Sequence, residues 1–97
     1  MSSRPIDSLL IDDENEDKFW RNGISPKRVL QVLDNPHLLV NNRARRRAPL
    51  LLIGNDHGGA CLAIPIEPTH QPGLWRPVTA WPCKPREQDI LKERSSK

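Results

Sequence analysis

Residues 50–66 read LLLIGNDHGGACLAIPI, and this stretch decides the fold. Leu50–Ile53 is a continuous apolar run of the length expected for a central strand that is covered on both faces. Asn55–Gly59 supplies the residue types that accept the backbone angles of a hairpin turn. Residues 60–66 then return as an alternating strand, in which Pro65 predicts an edge or a bulge. The stretch therefore predicts an antiparallel hairpin.

Outside the hairpin, the sequence predicts helices on either side of a run of strands. Ser25 is a good N-cap acceptor, Pro26 suits the first helical position, and apolar residues follow at helical spacing until Asn35 and Pro36 end the helix. The other predicted elements are strands at 37–40 and 74–81 and a short helix at 86–94. This order predicts an α+β fold, with the N-terminal helix packed on a three- to four-stranded, mainly antiparallel sheet and a short C-terminal helix.

The length and the charge pattern indicate one domain behind an acidic segment. At 97 residues the chain has the size of a single domain. Residues 1–20 hold six acidic and two basic residues, whereas residues 21–97 hold six acidic and thirteen basic ones. We predict a flexible acidic leader at 1–17 with a single helical turn, one domain at 18–94 and a tail at 95–97. The basic body suits a polyanion or an acidic protein partner.

The composition argues against a membrane span and against a disulfide scaffold. No apolar run approaches the roughly 20 residues that cross a bilayer, and the N-terminus lacks a basic region followed by an apolar stretch. Cys61 and Cys83 are too few and too isolated in sequence for a disulfide framework or a zinc site. We therefore expect a cytoplasmic protein with no membrane partner, in which the two cysteines are not bonded to each other.

The strongest local signal is a concentration of guanidinium groups at residues 43–47, which we call the arginine segment. Its four arginines are Arg43, Arg45, Arg46 and Arg47. Arginine presents a planar fork that matches phosphate oxygens, so the segment predicts contact with a nucleic-acid backbone. The alternatives are a solvated basic loop or a patch that docks an acidic protein.

Three further residues are assigned to the same nucleic-acid-binding face. Lys27 and Arg28 lie in the first turn of the predicted helix, where the helix dipole disfavours cations. Trp81, at the end of a predicted strand, is a candidate for stacking on a base. Solvated surface positions for the two cations and a core position for the tryptophan are the alternatives.

Arg76 and two histidines are the candidates for chemistry. Arg76 shares a strand face with apolar residues, so it either stabilises a phosphate in a transition state or pairs with an acid such as Glu67 or Glu87. His57 in the hairpin turn and His70 in a loop are candidate general bases near neutral pH, or ordinary polar loop residues. Because the histidines and cysteines show no metal-ligand spacing, we expect no metal and no cofactor.

Several short motifs resemble the BrnT-like toxins. They are Trp20–Ser25 with the helix that follows, Asn35–Pro36, Leu52–Gly54, the Gly58–Gly59 turn, the strand at 62–66 and Arg76–Ala80, in the order those proteins show, over about residues 18–82. The resemblance implies a RelE-like fold and a ribonuclease toxin held inactive by an antitoxin. By position, Arg76 matches an active-site arginine of that family. The chain departs from the family's pattern at Asn22, Lys27 and Trp81, where many members have a histidine, an acid and a second arginine.

Together these observations predict a toxin-like RNA endonuclease of a bacterial type II toxin–antitoxin system that works without a metal. Arg43–Arg47 would position the RNA, Arg76 and Arg46 would stabilise the cleaved phosphate, and His57 would deprotonate the ribose 2′-hydroxyl. The alternative is a non-catalytic module that binds nucleic acid or an acidic protein. In a third hypothesis, the acidic residues Asp12–Asp17 cover the basic face. The expected partners are RNA and an antitoxin protein, and a homo-oligomer is left open.

Overall fold

The computed structural model describes residues 6–42 and 48–95. Within them the helices are α1 (Asp13–Arg21), α2 (Pro26–Gln31) and α3 (Pro85–Ser95). The strands are β1 (Ser8–Leu9), β2 (His37–Asn41), β3 (Leu50–Asn55), β4 (Cys61–Pro68), β5 (Leu74–Pro77) and β6 (Trp81–Pro82). They form one mixed sheet of order β1-β5-β4-β3-β2, with β6 also paired to β4. The predicted α+β class is confirmed, and the sheet has more strands than predicted because two short strands, β1 and β6, join its main part.

The predicted hairpin is present as β3 and β4. Leu52 faces Ile64 in an antiparallel register, and β2 pairs with the other side of β3. Asp56 closes the turn, because its N–H donates to the carbonyl of Ala60 and its Oδ1 accepts from the N–H of Ala60, both at 2.9 Å. Gly59 has a φ of 89°, a backbone conformation that favours glycine.

Residues 6–17 belong to the fold, which differs from the predicted flexible leader. β1 pairs in parallel with β5, and Ile6 and Leu9 are buried in the core. Helix α1 spans nine residues and contains residue 18, where the domain boundary was expected. The dense negative charge of this segment predicted that it would stay outside the fold. In the structure several of its acidic residues lie in the first turn of α1, where the helix dipole stabilises them.

A capping box starts α1. The side chain of Asp12 accepts from the backbone N–H of Asn15 at 2.8 Å, and the side chain of Asn15 accepts from the N–H of Asp12 at 2.9 Å. Asn15 and Phe19 lie one turn apart and are both fully buried. The helix is thereby fixed to the sheet by its N-terminus and by one face.

Helix α2 begins as predicted. The hydroxyl of Ser25 accepts from the N–H of Arg28 at 3.3 Å, and Pro26 occupies the first turn. The chain continues as a 3-10 turn over Val32–Asp34, so the helical segment ends before Asn35, where the sequence predicts its end. The predicted C-terminal helix is also confirmed as α3.

The predicted strand at 74–81 is divided in two. In β5, Arg76 faces Glu67 of β4, and in β6, Trp81 faces Ala63 of the same strand. Between them, the N–H of Val78 donates to the carbonyl of Pro65 at 2.8 Å, so the chain stays beside β4 through the interruption. Pro77 is the last residue of β5, so the interruption begins directly after a proline.

Both faces of the sheet are covered. Helices α1 and α2 enclose the larger core, which includes Phe19, Ile24, Val29, Val32, Leu52, Leu62, Ile64 and Ile66. On the other face a smaller core includes Leu51, Ile53, Ala63, Cys83 and Leu91 of α3. Because alternate residues of a strand point to opposite faces, this arrangement explains the unbroken apolar run in β3.

Cys61 and Cys83 form a disulfide, so the expectation that they are not bonded is wrong. The β4–β6 pairing brings their Cα atoms to 5.3 Å, within the range that a disulfide needs. Twenty-two positions separate them in sequence, and only the pairing of two strands makes them neighbours.

Within residues 6–42 and 48–95, no helix is long and apolar enough to cross a bilayer.

Candidate functional site

Arg76 lies at the centre of an ion-pair cluster with three carboxylates, which we call the Arg76 cluster. Its Nε donates to Oδ2 of Asp12 at 2.7 Å, its Nη1 to Oε2 of Glu67 at 2.8 Å, and its Nη2 to Oε1 of Glu14 at 2.7 Å. The Arg76 side chain is only 13% exposed. The sequence predicted that Arg76 either stabilises a phosphate or pairs with an acid such as Glu67, and the structure shows the pairing with Glu67.

The cluster holds its own charges firmly. The hydrogen bond from Arg76 lowers the pKa of Asp12, assisted by the backbone N–H of Asn15. The same contact with Asp12, followed by that with Glu67, raises the pKa of the guanidinium against the opposing effect of its burial. Because the N–H groups of Arg76 already face carboxylates, they do not form an open clamp for a phosphate.

The two sides of the arginine segment lie at the same end of the sheet as Arg76. The main-chain N–H of Asn42 donates to the carbonyl of Pro49 at 3.0 Å, and its Nδ2 donates to the carbonyl of Ala48 at 2.9 Å. Leu50, at the start of β3, pairs with Ile66 of β4. On its other side Ile66 pairs with Pro77 of β5, the neighbour of Arg76 in the sequence. The predicted RNA-contacting residues Arg43, Arg45, Arg46 and Arg47 themselves lie outside the described residues.

A second group of polar residues joins α2 to the hairpin turn, and we call it the His57 cluster. Nε2 of His57 lies 2.9 Å from Oδ2 of Asp34, and the N–H of His57 donates to Oε1 of Gln31 at 3.0 Å. Beside it, Nε of Arg28 donates to Oδ2 of Asp56 at 2.7 Å. The structure thus brings two predicted residues, Arg28 and His57, to one surface.

The burial of these residues differs across the His57 cluster. The side chains of His57 and Asp34 are 56% and 65% exposed, whereas that of Asp56 is 5% exposed. Burial alone would raise the pKa of Asp56, but hydrogen bonds from Arg28 and from the N–H of Ala60 outweigh it and lower the pKa. The imidazole of His57 is therefore accessible to solvent, whereas the ion pair between Arg28 and Asp56 is partly buried and connects α2 to the hairpin turn.

His57 and Arg76 lie at opposite ends of the sheet. The turn that carries His57 follows the pair Asn55–Cys61, and Arg76 pairs with Glu67, six residues further along β4. At the rise of a strand this separation is about 20 Å. The two residues cannot contact a single phosphate, so the predicted combination of His57 as base and Arg76 as clamp is not supported by the geometry.

Trp81 does not present a free ring for base stacking. Its Nε1 donates to Oε1 of Glu87 at 3.1 Å, and Nζ of Lys84 lies 5.6 Å from the ring centroid. The residue is half-buried against the α3 core. Trp20 is more accessible than Trp81, at 57% exposure. Its position after a run of acidic residues did not indicate in the sequence that its ring would be exposed.

The remaining predicted positions lie near the junction of α1 and α2. Nδ2 of Asn22 donates to the carbonyl of Ala80 at 2.6 Å, next to Trp81, so two positions that depart from the BrnT-like pattern are close in space. Lys27 is exposed in the first turn of α2, and His70 is exposed in the loop after β4. Among the residues that the structure describes, no three His, Cys, Asp or Glu side chains group as metal ligands.

Asn15 and the two aspartates Asp12 and Asp34 are the structurally important polar residues that the sequence did not single out. The Nδ2 of Asn15 donates to the carbonyls of Leu10 and Pro77, at 3.0 and 2.9 Å. A capping pattern, with Asp12 three residues before Asn15, was the available signal.

Comparison with known proteins adds no identification. No family model matches the sequence, and no curated protein matches it either. Function must therefore be argued from the geometry of the sites.

Proposed function

We propose that this protein is an RNA-binding, toxin-like domain of a type II toxin–antitoxin pair, with a BrnT-like, RelE-like fold. RNA is bound through Arg43–Arg47. The observation that supports this most directly is the closed end of the β2–β3 hairpin, where Asn42 bonds to Ala48 and Pro49 on either side of the arginine segment. A short connection with four guanidinium groups at the end of a sheet suits an extended phosphate backbone.

The order of elements supports the RelE-like part of the proposal. Two helices precede an antiparallel meander of β2, β3, β4 and β5, and one helix follows it. Of this arrangement, the resemblance to BrnT-like toxins implies one helix packed on an antiparallel sheet over about residues 18–82, which α2 and the strands β2–β5 provide.

Salt-dependent binding tests the RNA contact. We expect full-length protein to bind single-stranded RNA with an affinity that falls steeply with salt, and the double variant Arg45→Gln/Arg46→Gln to bind more weakly with a shallower salt slope. Arg21→Gln is the control, because Arg21 is an exposed arginine on α1 that pairs along its own helix with Asp17. Equal affinity and slope for the double variant and the control would disprove the assignment.

The acidic residues beside Arg76 should oppose this binding. Three carboxylates surround one guanidinium in the Arg76 cluster, so its net charge is negative. Glu14 is the most exposed of the three, at 59%, and Glu14→Gln should tighten RNA binding modestly. A substitution tests acidic shielding better than a deletion of residues 1–17 would, because such a deletion would also remove the core residues Ile6 and Leu9.

The contact between His57 and Asp34 favours RNA cleavage as a second candidate function. A carboxylate 2.9 Å from Nε2 orients the imidazole, whose other nitrogen is then available to accept a proton. In this hypothesis His57 deprotonates the ribose 2′-hydroxyl, whose oxygen attacks the adjacent phosphorus as the 5′-oxygen leaves. Lys27, exposed on the neighbouring helix, would supply positive charge near the phosphate.

Cleavage assays in the presence of a chelator test this second candidate. We expect His57→Ala to abolish cleavage and Asp34→Asn to reduce it, whereas His70→Ala, an exposed loop histidine, should cleave like the wild type. Arg76→Ala is expected to change stability rather than chemistry. RNA binding without cleavage by the wild type would leave a non-catalytic binding module as the function.

We further propose a cytoplasmic location and an acidic antitoxin protein that competes with RNA for the arginine segment. Competition is checked by adding the candidate antitoxin to a preformed complex of protein and RNA and measuring the RNA that is released. If both partners bind the arginine segment, the antitoxin should displace the RNA.

A further inference from the structure

A cavity of about 360 Å³ lies next to the disulfide, between the end of the β3–β4 hairpin and α3. It is lined by Asn55, Gly59, Cys61, Gln88, Leu91 and Lys92. Cys61 is half-buried and lines this cavity, whereas Cys83 is 8% exposed and is not among the described lining residues. Cys61 is therefore the cysteine of this pair that borders the cavity.

The lining of the cavity suits a small anionic molecule with amide groups. Lys92 supplies a positive charge, and the side-chain amides of Asn55 and Gln88 both donate and accept hydrogen bonds. No acidic residue is among the described residues that line it. A tripeptide thiol with two carboxylates, such as glutathione, has this chemistry.

The position of Cys83 makes it the better leaving group. Cys83 lies two residues before Pro85, the first residue of the eleven-residue helix α3. The N–H of Gln88 donates to the carbonyl of Lys84, and Nε2 of Gln88 donates to the carbonyl of Cys83, so the cysteine is held at the N-terminus of the helix. The positive end of a helix dipole stabilises a thiolate, and a stabilised thiolate leaves faster in thiol–disulfide exchange.

We propose that the Cys61–Cys83 disulfide is an exchange site for a small anionic thiol of the glutathione class, attacked at Cys61 from this cavity. The glutathione thiol first loses its proton to solvent. Its thiolate forms a bond with Sγ of Cys61, the Cys61–Cys83 bond breaks, and its electron pair leaves on Sγ of Cys83 as a thiolate. A second glutathione thiolate then attacks the glutathione sulfur, which releases oxidised glutathione and the thiolate of Cys61. The proposal does not depend on RNA binding.

Trapping the mixed disulfide tests the proposal on the whole chain. Oxidised protein is mixed with reduced glutathione without denaturant, quenched with acid at intervals, and mapped by mass spectrometry of chymotryptic peptides. Trypsin is unsuitable, because Arg76 is the only lysine or arginine between the two cysteines and it is followed by proline. We expect a transient glutathione adduct on Cys61 and a free thiol at Cys83.

Three results would overturn the proposal. They are an adduct on Cys83, equal adducts on both cysteines, and reduction that occurs only at the rate of global unfolding. The last is recognised by a reduction rate that rises with urea in parallel with the unfolding rate, measured by tryptophan fluorescence on the same sample.

The charge of the cavity is tested with Lys92→Gln. We expect glutathione to react severalfold more slowly with this variant, while the uncharged thiol 2-mercaptoethanol reacts at the wild-type rate. Lys18→Gln, on α1 at the other face of the sheet, is the matched control and should leave both rates unchanged. An equal loss with both thiols, or no loss with glutathione, would show that Lys92 does not receive the thiol.

Discussion

Arg76 on β5 and Asp12 at the N-cap of α1 are joined by an ion pair of 2.7 Å between residues 64 positions apart in the sequence. Asp12 also accepts the capping N–H of Asn15, so one carboxylate connects the start of α1 to strand β5. The residue that the sequence put forward for chemistry is therefore a structural connection.

Replacing Arg76 should destabilise the protein strongly. Arg76→Ala would remove the guanidinium that pairs with Asp12 and with the partly buried Glu67, and we expect a loss of about 3 kcal/mol in the free energy of unfolding. Arg21→Ala, which removes an exposed pair with Asp17 on one helix, should cost less than about 0.5 kcal/mol. Urea unfolding followed by tryptophan fluorescence measures both. Similar small losses for the two variants would contradict the structural role of Arg76.

Stability should decrease in acid. The lowered pKa values of Asp12 and Asp56 mean that their contribution is present above about pH 4 and is lost as the pH falls through the folded-state values. The urea midpoint should therefore fall between neutral pH and about pH 3. Asp12→Asn and Asp56→Asn should each flatten this dependence. An unchanged slope in both variants would show that other groups cause the acid sensitivity.

Asn15 should be difficult to replace. It is fully buried, and Asn15→Ala would leave the carbonyls of Leu10 and Pro77 and the N–H of Asp12 without their partner. We expect a loss of about 2–4 kcal/mol, measured by urea unfolding. Asn41→Ala, at an exposed strand end, is the control and should have little effect. A loss no greater than that of the control would mean that water replaces these hydrogen bonds.

Gly54 should reject a methyl group. A Cβ at this position would lie 2.8 Å from Cγ1 of Val32 and 2.9 Å from Cβ of His37. Gly54→Ala should therefore cost about 1–3 kcal/mol, read from the thermal midpoint. Gly58→Ala is matched, because its Cβ would have an ordinary contact of 3.5 Å with Asp56. If the two variants had the same thermal midpoint, the 3-10 turn at Val32 and strand β2 at His37 would have to pack more loosely on β3 than the structure shows.

The disulfide should contribute measurably to stability. Closing a loop between residues 22 positions apart stabilises a folded chain by about 3 kcal/mol through the entropy of the unfolded state. The double variant Cys61→Ser/Cys83→Ser should show this loss, and the reduced wild-type protein should match it. Unfolding curves that do not change on reduction would show that β6 and α3 are held by packing alone.

The site was only partly predictable. The sequence predicted Arg28 as a nucleic-acid-binding residue and His57 as a general base, but it could not show the register that separates His57 from Arg76 by the length of β4. Asp34 was not selected because its role comes from a contact with a residue 23 positions away. Trp81 was selected for base stacking because it lies at the end of a predicted strand. Its exposure depends instead on the packing of the α3-side core against it, and Trp20 is the more exposed of the two.

The amino-acid sequence by itself determined the β3–β4 hairpin, the start of α2 and the helix at the C-terminus. These elements depend on residues within one or two turns of each other, such as Ser25 with Pro26 and the Asn55–Gly59 turn, and local patterning encodes them. Only the tertiary structure decided the carboxylate partners of Arg76 and the Cys61–Cys83 bond. Those contacts depend on strand pairing and on the packing of α1 against the sheet, and the energies that select a register lie between residues far apart in sequence.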